Sequence, residues 1–287
     1  MAEPEVIQGK YTIIDQIGQG SFGTVYKGKY NKTNEFVAIK TEDSRTSFKM
    51  LKRETSILKY LHERGCRQIP IVFWYGIYKE DTCLVMSYYE CSLHSYFTPN
   101  IEVDIRKVNK VMAGCIQILE TIHNQHVIHR DIKPQNFMLR AGSLFLIDFG
   151  LATFYLGENG EHSADPGSHE CITGTPRYVS YNVHRGHSPS RRDDMISLGY
   201  MYIYLYCGEL PWDESSMIFS KNDGNTDVMN RFHYKNVFRG ERKEWNALAP
   251  ISVKINDQIT QFLNYCYQLT YEGIPDYKTL IQIFDPK

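Results

Sequence analysis

The chain has 287 residues, which at about 150 residues per domain points to two cores or one large bilobal unit. Hydrophobic residues make up 42% and charged residues 23%, with 20 Gly and 11 Pro, which argues against disordered, collagen-like and coiled-coil classes. Lys plus Arg number 32 against 33 Asp plus Glu, and the resulting net charge of -1 gives no global attraction to nucleic acid or an anionic membrane.

In chain order, the polar, acidic start from Met1 to Gln8 does not resemble a secretion signal. Strand-like runs follow at Tyr11 to Ile17, Thr24 to Tyr30 and Phe36 to Lys40, separated by a Gly-rich turn and by Asn-Lys-Thr-Asn. A helix is predicted from about Thr46 to His62, where Met50, Leu51, Ile57, Leu58 and Leu61 fall within about 120° of one another. Glu54 lies at the centre of that apolar face, where a carboxylate is costly to bury without a cation. Strand-like Thr82 to Met86 leads into the connection Ser87 to Glu90, after which helical spacing dominates, as in Ile105, Val108, Met112, Cys115, Leu119 and Ile122. The lobe boundary is placed there. The reading is an α+β chain forming a single domain over 1–287, with a small β-rich N-lobe at 11–87 holding one helix and a larger, mainly helical C-lobe at 88–287. The longest nearly apolar stretch, Met195 to Cys207, is shorter than the ~20 residues a membrane span needs. The chain stops at Lys287 directly after a helix predicted around Tyr277 to Phe284, so no tail domain is expected. Seven cysteines, without a CxxC pair or zinc spacing, read as reduced thiols of an intracellular protein in the cytoplasm, the nucleus or both.

The chemistry-bearing residues form four groups. Gly18-Gln19-Gly20-Ser21-Phe22-Gly23-Thr24-Val25 matches G-x-G-x-x-G-x-V, in which missing side chains let backbone amides approach a polyphosphate. The β-prone residues after it favour a strand-turn-strand flap over a dinucleotide-binding helix, and an ordinary Gly-rich hairpin stays open. In Phe36 to Lys40, alternation puts Ala38 and Lys40 on one face, leaving room for a flat base beside an ammonium that reaches for phosphates; Lys40 is also the natural partner of Glu54. His129-Arg130-Asp131-Ile132-Lys133-Pro134-Gln135-Asn136 combines a carboxylate that accepts a hydroxyl proton, a lysine near the transferred phosphoryl and an amide for a divalent ion. Asp148-Phe149-Gly150 supplies a second metal ligand. His123, His126 and His129 have the helical spacing of a metal pair but no carboxylate-rich helix beside them. The 21 Tyr and 14 Phe are not interleaved with a basic stripe, so no direct nucleic-acid contact is expected, and Tyr200, Tyr202, Tyr204 and Tyr206 read as a buried helix.

With these motifs in order, the chain resembles the eukaryotic protein kinases over about residues 11 to 285. Within them it is similar to the casein kinase 1 group, through His129 to Leu139, Thr173 to Ser180, Ser190 to Tyr200 and Leu210-Pro211-Trp212, with Ser180-Tyr181-Asn182 where most kinases carry Ala-Pro-Glu. The resemblance implies a bilobal kinase fold and a monomeric serine/threonine kinase that uses ATP and Mg2+ on protein substrates. Asp131, Lys133, Lys40 and Glu54 would be catalytic, and Asn136 and Asp148 would hold the metal. Ile17, Gly18, Gln19, Gly20, Ser21, Phe22, Gly23, Thr24, Val25, Ala38, Lys40 and Met86 would line the ATP site, with Ser87, Tyr88 and Tyr89 as the hinge. Asp194 would brace the loop at 129–136, while Leu58, His129 and Phe149 would join a packed spine. Lys133 and Thr175 match the serine/threonine pattern, and Arg177, Arg130 and Thr175 are the candidate residues toward substrate and its anionic groups. The group's basic residues after Pro-Trp are replaced here by Asp213, Glu214, Ser215, Ser216 and Asp223 with only Lys221 nearby, and Glu170 stands where lysine is typical. A weakened demand for phosphorylated or acidic priming residues is expected. Against it, Arg177 and Lys221 would still make an anion site. Constitutive activity is expected as well, the alternative being a phosphate on Thr153, Ser163, Ser168 or Thr173 that pairs with Arg130. The full residue set argues against a pseudokinase scaffold, and the Gly-Thr-Pro-Arg-Tyr segment at 174–178 against a small-molecule phosphotransferase of the aminoglycoside or choline kinase type.

Overall fold

The computed structural model describes residues 5–20, 23–47, 49–97, 103–165, 167, 172–213 and 228–285, with the backbone alone at 228–232. The chain divides into two compact units, Met1–Ser92 with Phe137–Ala152, and Leu93–Asn136 with Thr153–Lys287.

In the first unit, β1 (Val6–Ile7), β2 (Tyr11–Gly20), β3 (Gly23–Tyr30), β4 (Phe36–Asp43), β5 (Val72–Tyr78) and β6 (Asp81–Ser87) form one antiparallel sheet in the order β1-β2-β3-β4-β6-β5. Alternation sends Val37, Ile39, Cys83 and Val85 to one face, where they bury against Ile7 and Tyr11. Lys40 and Glu42 turn the other way, toward α1 (Met50–Glu63), which packs on β4, β5 and β6. The helix starts at Met50, the first residue of its apolar pattern and four residues after the predicted start near Thr46. Thr46 is held in a turn by its N–H and hydroxyl, which both donate to the Asp43 carbonyl. The sequence reading passed over β5, because it lies at the sheet edge and a bulge between Val72 and Trp74 breaks its alternation.

The placement of Phe137–Ala152 differs from the division at 87/88 read from the sequence. Strands β9 (Phe137–Arg140) and β10 (Ser143–Leu146) pair as a hairpin that adds to β7 (Cys91–Ser92). The Leu146 N–H donates to the Gln68 carbonyl at 2.9 Å, and the Phe145 ring lies 4.7 Å from Tyr89. Local periodicity carries no trace of such pairings across more than forty residues.

The second unit comprises α2 (Leu93–Tyr96), α3 (Ile105–His123), β8 (Val127–Ile128) paired with β11 (Thr153–Phe154), α4 (Tyr181–His184), α5 (Arg191–Cys207), α6 (Val228–Arg242), α7 (Trp245–Ile255), α8 (Asp257–Gln268) and α9 (Tyr277–Phe284). Helix α5 is the axis, packing against α3 and α8. Every residue from Met195 to Leu205 is buried, including Tyr200, Tyr202 and Tyr204, so the apolar stretch is a core helix. Gly199 makes the α8 contact, since a Cβ there would sit 2.4 Å from Leu263. No helix among the described residues is long and apolar enough to cross a membrane.

Candidate active site

Strand register builds the first cluster. Lys40 sits opposite Val25 and Leu84, and Ala38 opposite Lys27 and Met86. Two residues beyond Lys40, the buried Glu42 accepts the Leu51 N–H at 3.1 Å and so pins the first turn of α1 to the strand. One turn further along, Glu54 meets the Lys40 ammonium at 2.7 and 3.0 Å, and Asp148 Oδ1 lies 2.8 Å from the same nitrogen. The Glu54 side chain is 2% exposed, which is tenable only because a cation faces it. Burial alone would lower the pKa of Lys40, but Asp148 and Glu54 outweigh it and hold the ammonium above the ordinary lysine range. Asp148 adopts a left-handed backbone, φ 67°, just before a 3-10 turn at Phe149–Leu151.

The glycine-rich run is the end of the β2–β3 hairpin, with Gly18 opposite Val25, Gln19 opposite Thr24 and Gly20 opposite Gly23. This is the strand-turn-strand arrangement read from the sequence; Ser21 and Phe22 lie outside the described residues. Ile17 is exposed, while Ala38 and Met86 are buried. Ser87 is tied at both ends to Ile71, its N–H donating to the Ile71 carbonyl and its hydroxyl accepting the Ile71 N–H. Tyr88 packs edge-on to Phe36, with the Lys27 ammonium 3.9 Å from the Phe36 ring centre, and Tyr89 is buried.

The second cluster lies on the loop between β8 and β9. The Asp131 Oδ1 accepts the Thr175 N–H at 3.0 Å and its hydroxyl at 2.6 Å, while Lys133 Nζ reaches Asp131 Oδ2 at 2.7 Å and Thr175 Oγ1 at 3.0 Å. The Asn136 amide nitrogen donates to the Asp131 carbonyl at 2.8 Å and to Oδ2 at 3.1 Å. A second carboxylate shapes the loop from behind. Asp194, in the first turn of α5, accepts the N–H groups of His129 at 2.7 Å and Arg130 at 2.8 Å, which fixes Arg130 at φ 68°. Burial pushes Asp194 up, but the His123 hydrogen bond, the nearby histidines and the His129 N–H outweigh it and hold the carboxyl below the usual range. His123 lies between Asp194 at 3.0 Å and the Tyr277 hydroxyl at 2.7 Å, so its ring is spent on structure. Among the described residues no group of three or more His, Cys, Asp or Glu is disposed to hold a metal.

Arg177 stands apart from the Asp131 cluster. Its Nε donates to Asp213 Oδ1 at 2.7 Å and its Nη2 to Asp213 Oδ2, while the guanidinium lies 4.7 Å from the Tyr204 ring centre. Asp213 also accepts the Leu210 N–H, and the Arg177 carbonyl accepts the Trp212 indole N–H. Sequence reasoning missed Glu42, Asp193 and Lys243. Asp193 follows Ser190 at capping-box spacing, a signal that was available; Glu42 and Lys243 carry none. Glu170, Glu214, Lys221 and Asp223 lie outside the described residues.

One comparison bears on these clusters. The model of the family described as Protein kinase domain matches residues 11–273.

The glycines of the hairpin are expected to differ in what they require. A Cβ on Gly23, at φ 135°, would sit 1.9 Å from the Thr41 carbonyl oxygen, whereas one on Gly20 meets nothing within 4 Å. Gly23→Ala should lower the urea midpoint by about 1–3 kcal/mol equivalent, while Gly20→Ala should leave it within about 0.5 kcal/mol. Equal effects of the two substitutions would contradict this geometry.

Proposed function

The chain belongs to the protein kinase family, and from that premise we propose that it is a serine/threonine kinase of the casein kinase 1 type, transferring the γ-phosphate of ATP to hydroxyls of protein substrates. The observation that carries the reading is the Asp131, Lys133 and Thr175 constellation. In this reading Asp131 takes the proton of the substrate hydroxyl as its oxygen bonds to the γ-phosphorus, and the bond to the β-phosphate oxygen breaks, leaving ADP. Thr175 and Asn136 hold the Asp131 carboxylate in orientation, and Lys133 is placed to meet phosphoryl charge. Lys40, steadied by Glu54, would hold the nucleotide's phosphates.

The donor set suits Mg2+, a hard cation that takes oxygen ligands from one or two carboxylates plus phosphates and water. Asp148 offers a carboxylate whose side chain is 43% exposed. Asn136 has its amide nitrogen committed to Asp131, which leaves the amide oxygen as the acceptor. Asp148 in the first unit and Asn136 in the second each offer a donor suited to the ion, which when bound would neutralise phosphate charge. The contact of Lys133 with Thr175 supports the serine/threonine assignment. The casein kinase 1 assignment draws support from Ser180 and Asn182, which stand in place of Ala-Pro-Glu and bind Asp193 at 2.5 and 2.9 Å. Asp131→Asn is expected to lower kcat by about 10²- to 10⁴-fold while ATP binding is kept. Failure of the wild-type protein to phosphorylate casein, or full activity of the variant, would end this reading.

Constitutive activity is part of the proposal. Thr175 is held by Asp131, Arg177 by Asp213 and the Arg177 carbonyl by Trp212, so internal groups do the ordering that a phosphate performs elsewhere. Complete phosphatase treatment should leave the rate unchanged; a large loss that rephosphorylation restores would show the opposite.

The Arg177–Asp213 pair also supports a weakened demand for a phosphate or acid upstream of the acceptor. An incoming anion must displace or repel Asp213, at a cost of a few kcal/mol at an effective dielectric near 20 before screening. Paired peptides with phosphoserine or serine three residues before the acceptor should give similar kcat/KM at low ionic strength. Asp213→Asn should raise the ratio in favour of the phosphorylated peptide by about tenfold. A strong wild-type preference that is lost in Arg177→Ala would refute the inference.

A further inference from the structure

Lys243, immediately after α6, is among the most deeply buried side chains of the second unit, with a relative exposure of 0%. Its Nζ donates to the Pro176 carbonyl at 2.9 Å and the Val179 carbonyl at 2.7 Å, and lies 3.1 Å from His184 Nε2. The ring centres of Trp212 and Tyr200 are 4.9 and 5.1 Å from the same nitrogen. Burial, with Lys243 adding to it, pulls the His184 imidazole down to about 3, so the ring is neutral; its Nε2 also lies 3.2 Å from the Pro176 carbonyl. The lysine is itself held from behind. Tyr267 donates its hydroxyl to the Lys243 carbonyl at 2.6 Å and is bonded to the Tyr200 hydroxyl at 2.6 Å.

A buried lysine is expensive: burial first and the Arg239 charge second pull the Lys243 amine well below the ordinary lysine range, against Asp213, and the nitrogen faces two backbone carbonyls, an imidazole and two aromatic rings. The two carbonyls belong to one short stretch. Thr175 and Val179 are joined by an N–H to carbonyl bond of 3.0 Å, and the same stretch carries Thr175 to Asp131 and Arg177 to Asp213. A single nitrogen that donates to both the Pro176 and Val179 carbonyls therefore fixes the curvature of 175–180 without touching any group that reacts.

We propose that Lys243 is the positioning residue for this segment, and that it sets the affinity for the hydroxyl-bearing protein substrate through the backbone of 175–180. The substrate half of this statement rests on the kinase reading above, whereas the clamp itself does not. Removing the amine would strip the Val179 carbonyl of its donor and leave the Pro176 carbonyl with His184 Nε2 alone, at 3.2 Å, enough to loosen the segment while leaving the Lys40 cluster of the first unit intact.

Lys243→Met, of similar length and without charge, provides the test in the full chain. The KM for a peptide substrate is expected to rise about tenfold, with the KM for ATP kept within about twofold, and amide exchange at Arg177 to Ser180 to quicken selectively. Lys243→Gln, which keeps one donor, gives the same readouts should the methionine variant not fold. Unchanged exchange at 177–180, or equal rises in both KM values, would overturn the proposal. A wild-type protein that transfers no phosphate would refute the kinase reading instead, and the exchange measurement would still decide the clamp.

Discussion

A charge removed from water has to meet its partner inside the fold, and that single constraint arranges both units. In the first, Glu54 occupies the centre of an apolar helix face where an unpaired carboxylate would cost several kcal/mol. Lys40 answers it from β4, and Asp148 shares the same ammonium. The position of α1 is thereby fixed by electrostatics as well as by Leu51, Ile57, Leu58 and Leu61, which bury beside it. Glu42 adds a second tie from the same strand face to the helix start. Strand register, helix position and charge placement thus become one problem with one solution.

In the second unit the polar start of α5 has the same role. Asp193 and Asp194 are consecutive and therefore point about 100° apart around the helix. Asp193 gathers Ser180, Asn182 and the N–H of Ser190, while Asp194 gathers His123 and the N–H groups of His129 and Arg130. One helix terminus thus holds the loop with Asp131 and the segment with Thr175 at the same time. From Met195 to Leu205 α5 is buried on all sides, which keeps that terminus from moving.

Much of this was legible in the sequence because it is local or periodic. Glu54 announced its need for a cation by interrupting an apolar stripe, and the order of Asp131, Lys133, Asn136 and Asp148 carried the chemistry. The helix at Tyr277–Phe284 emerged with its boundaries intact, since Asp276 caps it through the Thr279 N–H. What stayed hidden is non-local. The hairpin of β9 and β10 joins the first unit by pairing with β7, which no period of 2 or 3.6 reveals. Lys243 sits in Glu-Arg-Lys-Glu, a run that reads as a solvated helix end, and only the fold brings the Pro176 and Val179 carbonyls to it from more than sixty residues away. Asp213 was visible as an acid, but its bidentate seat on Arg177 was not.

These pairings bear on how a substrate would be told apart from its competitors. Arg177 is matched by Asp213, Lys133 by Asp131, and Lys243 is spent on backbone carbonyls, so the basic side chains that touch the 175–180 segment present little uncompensated charge. Charge recognition acts over a Debye length of about 8 Å at physiological salt and rewards any anion of suitable size. A segment whose charges are internally matched gives up that attraction and keeps its shape instead. Discrimination then depends on contact, with each well-fitted apolar group worth about 1–3 kcal/mol and each unmatched buried polar group penalised comparably. In the proposed kinase, the same internal matching that would free the segment from a phosphate would also make its selectivity a matter of fit, because both would follow from carboxylates and carbonyls occupying the places an external anion would take.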